Sequence, residues 1–408
     1  MKLSAIKFKA GSYITVENKQ EGHHFYIVRR GAIKTFSSFR QADRLQRVLG
    51  PGDFFGVISA MTGHPRLISS QVVTDSEVIM VRKDQFDFLI QQSPPLVLKI
   101  IRSFSNELRK YSEELASRTL LATKKKDDPY MLFHQGEFYY NKGEMAISAY
   151  IYTQYIKNFA YSDLAKEAQE RLKTIDLTVL SKIKHAFASD LNRKYKQGDI
   201  LFSEFEPGFE VFIIESGRVN ISKVINGQEV LIAVLKQGDI FGEMALLNNE
   251  NRSATAIAAE PTSCTVLNQR NFNNIINKNA RLATKIIMLL SERLWTIYKQ
   301  LDNFYFKDIK HRIYDTLITQ VYKKHVHNLT SASYAFDFGP KEIQSMLGVE
   351  ERLVKDALRV ILQEDIVTID KNKFLCRNLS RLEKEVEFGR KMEQRRRRIE
   401  ISREKHHQ

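Results

Sequence analysis

Residues 52–90 and 238–276 align without a gap at an offset of 186. Gly52 meets Gly238, Gly56 meets Gly242, Arg66 meets Arg252 and Phe86 meets Phe272. Upstream, at the same offset, Tyr26-Ile27 meets Phe212-Ile213 and Gly31 meets Gly217. A chain that repeats itself this way builds one unit twice. Short β-rich runs at 25–28, 211–214 and 230–234, separated by glycine-containing turns, predict a small barrel or jelly roll in each copy. Each copy then turns helical. Leu96, Ile100, Ile101, Phe104, Leu108, Tyr111 and Leu115 recur at helical spacing in the first, and Leu282, Ile286, Leu290, Leu294, Ile297 and Leu301 in the second.

Composition narrows the function classes. At 408 residues the chain is too long for one ordinary core. Its 63 basic and 48 acidic residues leave a net +15, which favours polyanionic partners. Cys264 and Cys376 stand far apart, so neither a disulfide framework nor a thiolate metal site is expected. The ten histidines show no metal-ligand spacing, and no metal is expected. Apolar runs such as 286–290 are far short of the roughly 20 residues that span a bilayer. The start carries no apolar signal-peptide core. A cytoplasmic binding protein with no membrane association is expected. No kinase or cyclase pattern is present, so no enzyme is expected.

The second copy carries Phe241-Gly242-Glu243-Met244-Ala245-Leu246, a short variable loop, then Arg252-Ser253-Ala254. Arg252 can meet an anion through a charge-assisted, bidentate pair. Gly242 lets backbone approach a ligand. Residues 243–247 can open a short helix whose N–H groups point at the anion, and Ser253 adds a hydroxyl donor. This stretch resembles the phosphate cassette of the cyclic-nucleotide-binding domain, as found in the catabolite activator and FNR family of regulators. The resemblance covers roughly 1–115 and 180–300. It implies a cyclic nucleotide ligand held by Phe241, Gly242, Glu243, Met244, Ala245, Arg252, Ser253 and Ala254, with Glu243 accepting from the ribose 2′-hydroxyl. The other reading of Glu243 and Arg252 is a salt bridge in a retired pocket. The family's adenine-contacting pair on the long helix falls at Ile297 and Tyr298, which departs from its hydrogen-bonding pattern. Ser253 is compatible with cyclic AMP and Tyr298 can stack on any purine, so cyclic AMP is the expected ligand.

The first copy departs at the decisive positions. Val57 stands in place of the ribose-binding glutamate, and Leu67-Ile68 follow Arg66. Valine cannot accept a hydroxyl proton. Gly56 and Arg66 remain as a degenerate site, structural or open to a different ligand.

After a lysine-rich linker at 124–128, residues 130–172 read as continuous helix and resemble a tetratricopeptide hairpin plus one further helix. Gly136, Tyr139, Gly143, Ala146, Tyr152 and Tyr155 fall at or near that repeat's small and aromatic positions. Three repeats are ordinarily needed for independent stability, so packing on a neighbour is expected, with the tyrosines in the core. Residues 339–374 resemble the winged helix-turn-helix of the same regulators. Helices are expected over 341–347 and 350–364 around the turn Gly348, with wing strands at 366–369 and 374–376. Ile343, Met346, Leu347, Val354, Leu358 and Ile361 form the expected small core. Glu351, Arg352, Lys355 and Arg359 on the second helix, with Lys371 and Lys373 on the wing, are the candidate DNA contacts. Seven basic and seven acidic residues cancel over 339–379, which is poor for neutralising phosphates and leaves a protein-contact role open. The last 20 residues carry net +5, including Arg395, Arg396, Arg397 and Arg398. They read as a polyanion contact or a solvated helix end.

The expected architecture is multidomain α+β: two cyclic-nucleotide-binding β-rolls with long C-helices, a helical-repeat insert and a winged helix. The expected boundaries are 1–118, 119–176, 177–304, 305–380 and a tail at 381–408. The expected function is a cyclic-nucleotide-responsive, DNA-binding transcriptional regulator. The alternative is a nucleotide sensor acting through protein contacts. The two long helices could pair between chains, as a homodimer, or within one chain, as a pseudo-dimer.

Overall fold

The computed structural model describes residues 3–406 apart from 20–23, 38, 40–45, 119–128, 177–190, 226, 243–250, 269–271, 273, 275, 277–278, 327–328 and 330–332. The chain forms two compact units. One comprises 1–93, 110–120 and 287–408, the other 94–109 and 121–286.

The first unit opens with strands β1 (Ser4–Phe8), β2 (Tyr13–Thr15), β3 (His24–Phe36), β4 (Arg47–Leu49) and β5 (Phe54–Phe55). Helix α1 (Val57–Thr62), strand β6 (Ser69–Arg82) and helix α2 (Phe86–Gln92) follow. The sheet runs β1-β6-β3-β4, with β2 on β6 and β5 on β3. Val28, Ile33, Phe55, Val72 and Val78 close its core. Helix α3 (Pro94–Arg118) runs on from this roll, beginning in the second unit and ending in the first.

The second unit holds α4 (Pro129–Asn141), α5 (Met145–Asn158) and α6 (Asp163–Lys173). Gly136 lets α4 meet α5 closely, since a Cβ there would lie 2.7 Å from the Tyr152 ring. Tyr139, Tyr150, Tyr152 and Tyr155 are buried, and Arg171 of α6 holds Glu137 of α4 through two bonds of 2.8 and 2.9 Å. Then come β7 (Asn192–Tyr195), β8 (Ile200–Phe202), β9 (Glu210–Ser216), β10 (Arg218–Ile225), β11 (Gln228–Lys236), β12 (Ile240–Phe241), β13 (Thr255–Ala258) and β14 (Thr262–Asn268). They form two four-stranded sheets, β11-β10-β13-β8 and β12-β9-β14-β7, around Phe202, Phe212, Phe241, Ala256 and Val266. The 186-residue offset survives in the backbone. β5 maps onto β12 residue for residue, and β6 maps onto the span from β13 to β14. Gly31 and Gly217 share φ +87°, and a Cβ on either would lie under 3 Å from the facing strand. The helices pack on this roll: Tyr139 donates to Glu229 at 3.0 Å and Gln135 to Thr255 at 3.4 Å.

Helix α7 (Ala280–Asn303) leads back into the first unit, which continues with α8 (Ile309–Lys323), β15 (Tyr334–Ala335), α9 (Pro340–Leu347) and α10 (Glu351–Gln363). Strands β16 (Val367–Asp370) and β17 (Lys373–Cys376) and helix α11 (Leu379–His406) complete it. Gly348, at φ +60°, turns α9 into α10. Lys371 and Asn372, both at positive φ, close the two-residue turn between β16 and β17. Of the expected small core, Ile343, Leu347, Val354, Leu358 and Ile361 are buried, but Met346 is 46% exposed. One residue turns a helix by about 100°, which carries Met346 off the face that Leu347 buries.

Two boundaries differ from expectation. Most of α7, from Ile287, belongs to the first unit and not to the second roll. The region 381–408 is no separate tail. Leu379, Leu382 and Val386 of α11 join the core formed by α8, α9 and α10, which also takes in Phe39 of the first roll.

Candidate functional site

Arg252 sits where the chain enters β13. Its backbone N–H donates to the Glu206 carbonyl at 2.7 Å and its carbonyl accepts from Phe205 N–H at 2.9 Å. Its Nη1 donates to the carbonyls of Glu210 (2.7 Å) and Gly242 (2.8 Å). The guanidinium lies 4.2 Å from the Phe202 ring centroid and 5.6 Å from that of Phe212, and the residue is 5% exposed. Gly242, at φ +76°, makes this possible, because a Cβ there would lie 2.7 Å from Nη1. The sequence therefore fixes a cation in one pose at the end of a rigid sheet. A fixed guanidinium of this kind offers charge-assisted hydrogen bonds to a phosphate.

The neighbours of Arg252 were not legible in the motif. Glu206 is buried, with its carboxylate accepting from Ser203 N–H at 2.9 Å and from the Tyr150 hydroxyl at 3.0 Å. Burial raises its pKa to about 7, against the opposing pull of the Ser203 hydrogen bond and the Arg252 charge. Tyr150 comes from α5 and is itself held by Gln154 at 3.1 Å, so the helical segment supports the loop on which Arg252 rests.

The first roll repeats the arginine's geometry. Arg66 Nη1 donates to the Gly56 carbonyl at 2.8 Å and Nη2 to the His24 carbonyl at 2.7 Å. His24, Gly56 and Arg66 are the offset counterparts of Glu210, Gly242 and Arg252. Val57, in the place of Glu243, is buried as the first residue of α1. Arg66 lines a cleft with Trp295 and Lys299 of α7, Tyr322 of α8 and Glu383 and Arg390 of α11.

Of the sequence-predicted ligand residues, the structure brings together Phe241, Gly242 and Arg252. Phe241 is buried among Phe202 and Phe212, a core position beneath the site. Ser253 is half-buried and Ala254 buried. Glu243, Met244 and Ala245 lie outside the described residues. Ile297 and Tyr298 belong to the first unit, where the Tyr298 hydroxyl donates to that of Tyr111 at 3.0 Å.

The candidate DNA contacts are exposed on α10 and at the turn between β16 and β17. On α10 they are paired with acids of the same helix: Lys355 with Glu351 at 2.7 Å, Arg359 with Asp356 at 3.1 Å and Arg352 with Asp356 at 4.0 Å. In α11, Arg395 is exposed and Arg396 pairs with Glu393 at 3.0 Å. Arg397, expected to meet a polyanion, instead donates to the carbonyls of Phe39 (2.7 Å) and Tyr305 (2.6 Å). The side chain of Arg398 lies outside the described residues. Among the described residues, no helix is long and apolar enough to cross a membrane.

Comparison with known proteins agrees with the repeat. Residues 5–93 and 192–279 each match the family described as the cyclic nucleotide-binding domain. The cyclic AMP receptor protein of Thermus thermophilus is 27% identical over 198 residues, which is 48% of this chain and 88% of that one. A cAMP-dependent protein kinase regulatory subunit of Debaryomyces hansenii is 24% identical over 270 residues, 66% of this chain and 44% of that one. The crystal structure of the Thermus thermophilus catabolite activator protein aligns at 26% identity and TM-score 0.29, covering 51% of this chain and 95% of that one. The two rolls of this chain thus each resemble a cyclic nucleotide-binding domain, with a buried arginine held in the same backbone cradle in each.

Proposed function

We propose that the chain is a cyclic-nucleotide-responsive regulator that acts by binding and not by catalysis, with its ligand in the second roll and its output through the C-terminal module. The observation that carries this reading is Arg252, buried and oriented by the Glu210 and Gly242 carbonyls beside the cassette. Cyclic AMP is the expected ligand; Ser253 after the arginine and the cyclic-AMP-named relatives support it. The helices at 129–173 serve as a tetratricopeptide-like support, since their tyrosines are interior and Tyr150 reaches the Glu206 loop. The elements at 340–376 serve as a winged helix-turn-helix. Tyr111 of α3 and Tyr298 of α7 pack with ring centroids 4.6 Å apart and planes tilted by 53°, which favours internal pairing of the two long helices and a pseudo-dimer.

Calorimetric titration of the full chain with cyclic AMP, cyclic GMP and cyclic dinucleotides tests the ligand. One cyclic AMP per chain is expected, lost in Arg252→Ala and kept in Arg66→Ala. Equal loss from both variants would contradict the assignment to the second roll.

Two outputs are open to the C-terminal module, and DNA binding is the first. Protein contact is the second, favoured by the ion pairs that occupy Arg352, Lys355 and Arg359 on α10. Gel retardation of genomic fragments at low salt, with and without nucleotide, separates them. Retardation that weakens steeply with salt supports DNA binding. Its absence under both conditions leaves the protein-contact reading.

A further inference from the structure

His64, Glu292 and His325 converge although 228 residues separate the first two. His64 follows α1 in the first roll, Glu292 lies on α7, and His325 stands just beyond α8. One ligand atom from each falls within 4.8 Å of the others. His64 Nε2 is 2.8 Å from one Glu292 oxygen, and His325 Nε2 is 3.9 Å from the other. We propose that these three side chains bind a first-row divalent ion of the Zn2+ class, with water completing the coordination.

The chemistry is that of a borderline cation. Imidazole nitrogens and a carboxylate suit Zn2+, with bonds of about 2.0–2.2 Å and ligand atoms about 3.3 Å apart in a tetrahedral site. The observed 2.8 and 3.9 Å, to different Glu292 oxygens, lie either side of that spacing, and the two imidazole rings are nearly parallel (7°) with centroids 5.5 Å apart, so one ring reorients to share an ion with the other. The exposed His325, 60% accessible, is the ring able to turn. His64 is held: it is buried, and its ring lies 4.1 Å from that of Trp295. The Trp295 indole N–H in turn donates to the Pro65 carbonyl at 3.3 Å, fixing the loop that carries His64. A bound ion ties the first roll, α7 and the end of α8 together, so occupancy stabilises this packing of the C-terminal module.

The test is calorimetric titration of the full chain with Zn2+ in a non-chelating buffer. Wild type is run beside His325→Ala, Glu292→Gln and a double variant, His406→Ala with His407→Ala, that removes the adjacent histidines near the C-terminus. His325 is exposed, so its variant should keep the fold, checked by circular dichroism. We expect a site shared by wild type and the double variant that weakens at least about tenfold in the other two. Zn2+ should raise the Tm of wild type and leave that of His325→Ala unmoved. No Zn2+ binding by wild type at micromolar concentration, equal affinity in all four proteins, or loss confined to the double variant would overturn the proposal.

Discussion

A buried arginine next to a buried glutamate sets the electrostatics of the second cassette. Glu206 has its pKa raised to about 7, mainly by burial, while the Arg252 charge pulls the other way. The folded carboxyl keeps a proton that the unfolded one releases above its ordinary 4.5. Its contribution to stability is therefore full below about 4.5, declines as pH rises, and is gone above about 7. We expect the unfolding free energy of wild type, from urea titration, to fall between pH 5 and 7 by at most about 1.4 kcal/mol per pH unit from this group. Glu206→Gln, measured over the same range, should flatten that slope; an unchanged slope would show that other groups set it. Arg252 and Gly242 were legible because the repeat marks them twice. Glu206 was not, because its offset counterpart is Gln20 and nothing in a local pattern says that a loop carboxylate is buried. Tyr150 is core, but its hydroxyl partner lies 56 residues away.

Among the elements, α11 departs furthest from expectation. Its arginine run reads as solvent-facing charge, yet Arg390 and Arg397 stand seven residues apart on the helical face that carries Leu379, Leu382 and Val386. That spacing was the available signal. Arg390 donates to Asp315 of α8 at 2.9 Å, and Lys299 of α7 donates to the same oxygen at 2.8 Å. Asp315 holds its carboxyl below the usual range despite its burial, because two cations face it. Stability from this group is present above the ordinary carboxylate pKa and lost as pH falls through the depressed one. Asp315→Ala leaves both cations buried together and should cost about 3–5 kcal/mol, read as a lower denaturant midpoint. A loss under about 1 kcal/mol would mean that water already compensates these charges. Arg395 and Arg396 are better probes of polyanion contact than removal of 389–408, which would also delete Arg390.

At the scale of the whole molecule, the order of folding units was only partly legible. The rolls, the presence of helices between them and the two short helices about Gly348 followed from local pattern and a fixed offset. The grouping of 1–93 with 287–408 did not, because it rests on long-range contacts such as Trp295 with Pro65 and Arg397 with Phe39. Those contacts bear on the first roll's cleft at Arg66, whose wall includes Glu383 and Arg390 of α11. That cleft is thus completed by a helix which the same chain holds at high effective concentration, so a solute at Arg66 would meet Glu383 and Arg390 of α11 as well as the roll itself.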